Sequence, residues 1–457
     1  MSNVVWTIDA IAHEATLFAA IGLVIGGLDD LLVDLIFLAV VRRDGRRRTV
    51  AALAKATRAA RLAVFVPAWD EAAVIATMLS TALARLDHPD YRIYVGVYPN
   101  DPATIDAVNP VAGRDDRVRL VVGIANGPTT KADCLNTLWC ALLADEKRDG
   151  RPVKAVVLHD AEDLVHPAEL HVFDSLIEAC AVVQLPVLPL VKRGARLVSG
   201  HYADEFAEAH GKAMIVRAAL GAAMPLAGTG CAIARDMLGR IADTRDGTPF
   251  DATSVTEDYE LGLKIASLGG RGLFVRIRDD DGLVAVRAYF PTTILAAARQ
   301  KARWMTGIAL AGWDRTGWAR AGAIGDHWMR MRDRRAPIAV VVLAVAYLAI
   351  VAWLVRFAVG ALVNVPIAAA PSVDPRLLAT TAALLGWRAA MRMVFTARCY
   401  GWREALWSPP RMVVGNLIAL IAAPRAFARY LAMLRGEPPV WDKTKHEFPE
   451  QRGNAVR

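Results

Sequence analysis

Cysteine is scarce in this chain. Its 457 residues hold five, Cys134, Cys140, Cys180, Cys231 and Cys399. The number is odd and the spacing fits neither a zinc-ligand pattern nor a disulfide framework, which points to a reducing compartment. There is no internal repeat and no low-complexity tract. The N-terminus has no basic n-region and no small-residue cleavage site, so it does not read as a cleaved signal peptide. The net charge is +8, yet no nucleic-acid-binding motif accompanies it, and nucleic acid is not expected as a partner.

What the chain has in excess is apolar residues. They make up 55% of it, and the mean hydropathy is +0.31, which suggests that part of the chain lies in lipid. The basic residues are clustered: Arg42, Arg43, Arg46, Arg47 and Arg48 follow one apolar stretch, and Arg330, Arg332, Arg334 and Arg335 precede another. Arginines flanking apolar spans act as cytoplasmic anchors. Residues 16–41 are long enough to span a bilayer but carry Asp29, Asp30 and Asp34. A carboxylate near the centre of a span costs about 2.5 to 3.5 kcal/mol, so such groups usually face protein or water. Residues 336–355 are free of charge and read as a span. Residues 377–397 are interrupted by Arg388 and Arg392, and residues 412–423 are apolar but short. Asp30 and Asp34 share one helix face, as do Arg388 and Arg392, and the two faces are expected to pair.

Between the apolar regions, residues 61–290 alternate short β-rich runs with helical patterns. Residues 62–66, 91–97, 118–122 and 155–158 read as strands, and residues 70–85, 131–144 and 167–180 as helices. This alternation predicts βαβ units and a mainly parallel sheet. Ligands of such sheets sit beyond the carboxyl ends of the strands, so the chemistry is expected just after strands.

Acidic residues gather there. The first strand runs into Pro67, Trp69, Asp70 and Glu71, and the second into Asn100 and Asp101. Helix capping and ordinary turns use the same residues. The fourth strand is followed by His159, Asp160, Ala161, Glu162 and Asp163. Three carboxylates so close repel one another. Mg²⁺ or Mn²⁺ would relieve that repulsion and would also take substrate phosphate oxygens. Thr256, Glu257 and Asp258 precede another helical pattern, where they serve either as helix-start acids or as a general base, Asp258 accepting the proton of an attacking hydroxyl. Further on, Gln300, Arg303 and Trp304 share one helical face in an amphipathic segment. Arginine can hold a diphosphate bidentately, and tryptophan can offer a platform for a sugar ring. An interfacial helix anchored by Trp and Arg has the same composition.

Taken in order, these motifs resemble the membrane-bound, cellulose-synthase-like members of glycosyltransferase family 2. Asp70, Asp101, Asp160-Ala161-Glu162, Thr256-Glu257-Asp258 and Gln300-x-x-Arg303-Trp304 match the family's successive motifs. Lys131 with Leu135 and Asn136 resembles its K-x-x-x-L-N segment, and Gly228-Thr229-Gly230 its acceptor-side loop. More narrowly, Gly27, Asp29 and Asp30, together with residues 441–446, look like the bacterial phage-adsorption protein B type. The resemblance implies an α/β catalytic domain of the glycosyltransferase-A, Rossmann-like type plus transmembrane helices. Its segments would be residues 1–50, an N-terminal span with a basic run; 51–290, the catalytic domain; 291–335, interfacial helices; and 336–457, a C-terminal membrane region and tail.

The resemblance further implies a nucleotide-sugar donor, with UDP as its nucleotide, and an inverting transfer to a saccharide or lipid-linked acceptor. The setting would be a bacterial inner membrane, with surface polysaccharide as the product and an outer-membrane partner for its export. Asp70 or Glu71, Asp101, Lys131 and Asp160 would bind the nucleotide sugar. Asp160 would hold the metal, with Glu162 and Asp163 competing for the second place because the usual DxD is DxE here. Asp258 with Glu257 would be catalytic, and Gln300, Arg303 and Trp304 would meet acceptor and diphosphate. The rival reading is a catalytically silent membrane component or nucleotide-binding regulator of the same export or adsorption complex. No cyclic-dinucleotide motif pair is present.

Overall fold

Strand β1, Leu62–Pro67, is buried along its whole length, and its period of two divides it between two apolar layers. Val64 and Val66 pack with Ile75, Met78 and Leu79 of the helix Ile75–Arg85. Ala63 and Phe65 pack with Leu135, Leu138 and Trp139 of the helix Lys131–Asp149 on the opposite face. A strand covered on both faces reads as a continuous apolar run, which is why these strands were visible in the sequence.

The computed structural model describes residues 2–44, 48–58, 60–363, 372–437 and 446–449. Arg46, Arg47 and residues 441–445, parts of two segments singled out above, lie outside them. Strands β2 (Tyr91–Val97), β3 (Val118–Val122) and β4 (Ala155–Leu158) begin and end as expected. They are joined by β5 (Val182–Gln184), β6 (Val187–Leu190), β7 (Cys231–Ala234) and β8 (Gly272–Phe274). The main sheet has the order β3-β2-β1-β4-β7-β5-β8. It is parallel except at β7, which runs antiparallel to β4 and β5. β6 pairs instead with the strand Val286–Tyr289 in a small second sheet. This is the mainly parallel Rossmann-like sheet of a glycosyltransferase-A fold.

Helix boundaries moved where backbone geometry overrides composition. The first expected helix starts at Ile75 rather than at residue 70, because Asp70 sits at φ 54°, outside any helical conformation. The helix after β4 is Glu169–Leu176, followed by a single tight turn, Ile177–Ala179. The helix Lys131–Asp149 runs past residue 144 until Gly150, at φ 65°, ends it.

Among the described residues, four long helices lie outside the sheet domain, Ser2–Asp44, Ala336–Val363, Pro375–Tyr400 and Ser408–Leu434. By length and composition, two stretches are able to cross a membrane, Ala336–Leu362 and Ser408–Leu434. The apolar run at 412–423, short by itself, is thus the middle of a 27-residue helix.

The expected pairing of the Asp30/Asp34 face with the Arg388/Arg392 face is met only between Asp30 and Arg388. Arg388 forms a long ion pair of 3.9 Å with Asp30, which accepts at shorter range from Arg332 at 2.9 Å and Arg335 at 2.6 Å. Asp34 is held by Lys212 and by Trp387 Nε1 at 2.8 Å, and Arg392 Nε donates to Glu208. Arg332 and Arg335, in and just after the helix Ile324–Arg334, and Lys212, between β6 and β7, supply nearer cations. Spacing fixes a helix face, and packing chooses its partner.

Candidate active site

The site lies beyond the carboxyl ends of β1, β2 and β4. After β1 the chain turns at Asp70, whose N–H donates to Asp101 Oδ2 at 2.6 Å. The other oxygen of Asp101 accepts from the Thr104 N–H at 3.3 Å and caps the helix Pro102–Ala112. The Asp101 carboxylate, expected among the nucleotide contacts, is therefore engaged in joining the β1 and β2 loops. Trp69 meets Tyr98 edge-on with centroids 5.2 Å apart. Asn100 exchanges two hydrogen bonds of 2.8 Å with the backbone of Gly127. A Cβ on Gly127 would stand 2.7 Å from the Trp69 ring, so glycine is required for that close approach.

After β4 the acids separate into two environments. Asp163 turns inward, 2% exposed. Its Oδ2 accepts from the Asp160 N–H at 2.8 Å and from Thr229, and lies 3.0 Å from His159 Nδ1. His159 in turn lies 2.7 Å from Glu169. Burial opposes the charge of this histidine, but Glu169 and Asp163 outweigh it and hold its pKa at about 10. Asp163, expected to compete with Glu162 for the metal, thus has one carboxylate oxygen engaged by the loop. Glu162 faces the cavity, where burial pushes its pKa up to about 8. Asp160 pairs with Lys131, whose ammonium also donates to the Gly228 carbonyl at 3.2 Å. Burial works against that ammonium, yet Asp160 and Glu257 hold its pKa above the ordinary lysine value.

Glu257 and Asp258 open the helix Glu257–Ser267. Burial raises both carboxyls, Glu257 to about 7 with help from the charge of Asp258. The loop before them is stapled by Asn136, which exchanges hydrogen bonds of 2.8 and 3.0 Å with the Phe250 backbone. This is a physical reason for the asparagine that follows Lys131. Gln300, Arg303 and Trp304 come from the helix Ile294–Trp304. Trp304 packs edge-on against Tyr202 at 6.0 Å. Gln300 Oε1 is buried and without a hydrogen-bond partner among the described residues.

Lys131, Asp160, Glu162, Asp258, Arg303 and Trp304, among others, line one cavity of about 420 Å³; Asp70 and Asp101 are not part of its lining. Its size falls in the range of small-molecule sites. Sequence reasoning missed one of its members. His446, noticed only as the end of a C-terminal motif, places Nδ1 2.8 Å from Glu71 Oε1 and 3.2 Å from Glu162 Oε2. Ligand atoms of Glu71, Glu162 and His446 lie within 4.8 Å of one another. Glu162 Oε2 is buried without a well-directed hydrogen bond. An orphaned carboxylate oxygen beside another carboxylate and an imidazole suits a divalent cation. The only clue in the sequence was a histidine in a polar motif, 375 residues after Glu71 and 284 after Glu162.

The family described as Glycosyltransferase like family 2 matches residues 59–307. The bacteriophage adsorption protein B of Escherichia coli K12 is 34% identical over 468 aligned positions, covering 95% of this chain and 62% of that protein. The bacteriophage N4 adsorption protein B of Escherichia coli O157:H7 matches to the same extent. The chain therefore spans less than two thirds of the length of these relatives. Among solved structures, a mannosyltransferase of Pyrobaculum calidifontis in complex with GDP-mannose and Mn²⁺ superposes with a TM-score of 0.55. It is 21% identical, with 93% of this chain and 99% of that one covered, and shares the fold.

Proposed function

The chain belongs to the glycosyltransferase like family 2, and on that premise we propose that it moves a sugar from a nucleoside diphosphate, UDP by the resemblance of its motifs, to an acceptor hydroxyl at the cytoplasmic face of a bacterial inner membrane. The observation that carries this reading is the convergence, in one cavity, of Asp160 and Glu162, of Lys131, of Asp258, and of Gln300, Arg303 and Trp304. The helix bearing the last three packs against the apolar helix Ser408–Leu434. That contact supports an acceptor end beside the membrane.

Asp70, Glu71 and Asp101 belong to the loops after β1 and β2, where the nucleotide would be bound. Arg303 offers a bidentate contact to the diphosphate. Asp160, Glu162, Glu71 and His446 are the groups that would hold Mg²⁺ or Mn²⁺. A divalent cation bound there would supply neutralisation of the charge that develops on the leaving diphosphate. Asp258 accepts the proton of the acceptor hydroxyl. The hydroxyl oxygen forms the new bond to the anomeric carbon from the face opposite the leaving group. The bond from that carbon to the diphosphate oxygen breaks, and its electron pair leaves with the nucleoside diphosphate, so the configuration inverts. Glu257 adds a second buried carboxyl beside Asp258, and Gln300 and Trp304 orient the acceptor. The product is a surface saccharide, handed to an export partner.

The test is release of nucleoside diphosphate by purified full chain in detergent, over a panel of sugar nucleotides with Mg²⁺ or Mn²⁺. Metal-dependent release from one donor, lost in Asp258→Asn and Asp160→Asn, is the expected result. Release that survives Asp258→Asn would remove that residue from the role of base. A reporter fused after Val50 is expected to read cytoplasmic, and a periplasmic reading would overturn the orientation.

A further inference from the structure

Beyond the stretch matched by the family lies the helix Ile324–Arg334. One of its side chains reaches back to the candidate base. Asp333 accepts two hydrogen bonds from Arg217, both 2.9 Å, and a third of 2.9 Å from the Tyr259 hydroxyl. Tyr259 follows Asp258 directly, and its N–H donates to Asp258 Oδ1 at 2.8 Å. Tyr259 and Arg217 are 3% and 4% exposed, so these links lie in protein rather than in water.

The helix Glu257–Ser267 has need of such a grip. Its N-cap, Thr256, makes no side-chain capping bond, and a missing cap leaves the first turn short of its usual anchor. Asp333 supplies a tertiary anchor at that turn through Tyr259. The same carboxylate reaches the acceptor-side loop by another route. Arg217 Nε donates to the Ala223 carbonyl at 2.6 Å, and the Ala223 N–H donates to Asp326, one helical face along from Asp333, at 3.1 Å. Seven residues after Asp326 the chain is thus joined to both walls of the reaction centre, the base helix and the loop leading to Gly228. The neighbours of Asp333 hold the other side: Arg332 and Arg335 bond to Asp29 and Asp30 of the helix Ser2–Asp44.

We infer that Asp333 is a positioning residue for the transfer reaction: through the Tyr259 hydroxyl and the Arg217 guanidinium it fixes the first turn of the helix Glu257–Ser267, and with it the place of the Asp258 carboxylate relative to the acceptor hydroxyl. This rests on the reading of Asp258 as the base. The site's geometry is then set from the membrane side, by a helix clamped to the first long helix. A misplacement of about 1 Å costs on the order of 10²-fold in rate, so a single hydrogen bond at the right turn matters more for turnover than for stability.

Tyr259→Phe and Asp333→Asn, beside Asp258→Asn, test it in the full chain in detergent. Asp333→Asn leaves buried Arg217 with a neutral partner and can unfold the protein. Tyr259→Phe keeps that ion pair and removes only the hydroxyl. Two readouts are combined. One is hydrogen exchange of the first-turn amides, residues 256–260, against those of 263–267. The other is release of UDP or GDP from UDP-hexoses and GDP-mannose with Mn²⁺. For Tyr259→Phe the expected result is faster exchange confined to the first turn, with kcat lower by roughly tenfold and donor KM unchanged. Unchanged exchange overturns the inference. So does faster exchange with unchanged kcat, or a rise in donor KM that accounts for the whole loss. Full activity in Asp258→Asn would instead defeat the reading of the base. Loss in Asp258→Asn with a wild-type Tyr259→Phe defeats only the inference about Asp333.

Discussion

Replacing Gly228 by alanine separates the chemistry of the site from the stability of the fold. Gly228 lies at φ 74°, and an added Cβ would stand 2.7 Å from Asp258 Oδ2 and 3.3 Å from Lys131 Nζ. An ordinary carbon–oxygen approach is about 3.3 Å, so the Asp258 carboxylate must retreat by about 0.6 Å. If a 1 Å misplacement costs on the order of 10²-fold, turnover falls by roughly ten- to thirtyfold, or about 1.4 to 2 kcal/mol in activation free energy. The left-handed backbone adds a cost of about 1–2 kcal/mol in stability. Gly150→Ala is the control. That glycine sits at φ 65°, and its added Cβ would meet nothing within 4 Å. It carries the same backbone strain with no clash. Nucleoside diphosphate release and thermal unfolding are measured on both variants. The expected pattern is a similar loss of thermal stability in the two, with loss of turnover in Gly228→Ala alone. Equal turnover in the two variants would refute the claim that the position of the Asp258 carboxylate limits the reaction.

Three further outcomes follow from the same geometry. Burial raises the Asp258 carboxyl, and a base works only when deprotonated, so kcat/KM should fall on acidification at a pH above the ordinary carboxylate range. An acid limb at about pH 4, the unperturbed aspartate value, would place the base elsewhere. His159 is held at about 10 in the fold against 6.5 for the free side chain. Its contribution to stability is therefore complete below about pH 6.5 and is lost as pH rises towards 10. Denaturant midpoints across that window should drop for the native chain and flatten in His159→Gln; parallel curves would contradict the assignment. His446→Ala removes the nitrogen from the Glu71–Glu162 pair, and calorimetric titration with Mn²⁺ alone should show weaker binding by tenfold or more, roughly the scale of losing a metal-site group. Unaltered Mn²⁺ affinity would detach the C-terminal segment from the metal site.

Much of the sheet was legible because its strands are covered on both faces and stand out as short apolar runs between turn residues. β2 and β4 could be bounded to the residue for that reason. The acids after β4 were legible for a second reason: strand ends of parallel sheets collect ligand-binding groups, and Asp160 and Glu162 sit where that rule expects them. How each acid of the cavity is engaged was not legible. Glu162 and Asp163 are neighbours in sequence and both line the cavity, yet Glu162 Oε2 has no directed hydrogen bond while Asp163 accepts from Thr229 and lies against His159. A difference of that kind depends on a loop 66 residues away, and no spacing within the motif encodes it.

The charged long helices illustrate the same limit. Spacing placed Asp30 and Asp34 on one face, but their nearest cations come from segments about 180 to 300 residues onward, Lys212, Arg332 and Arg335. By itself, then, the sequence determined the class of fold, the order of its strands along the chain and the chemical types gathered at strand ends, because these follow from local periodicity and composition. Only the tertiary structure decided that His446 meets Glu71 and Glu162, that Asp333 grips Tyr259 beside Asp258, and that Asp101 braces a loop. Those outcomes depend on which surfaces pack together, and packing is settled by the whole chain at once.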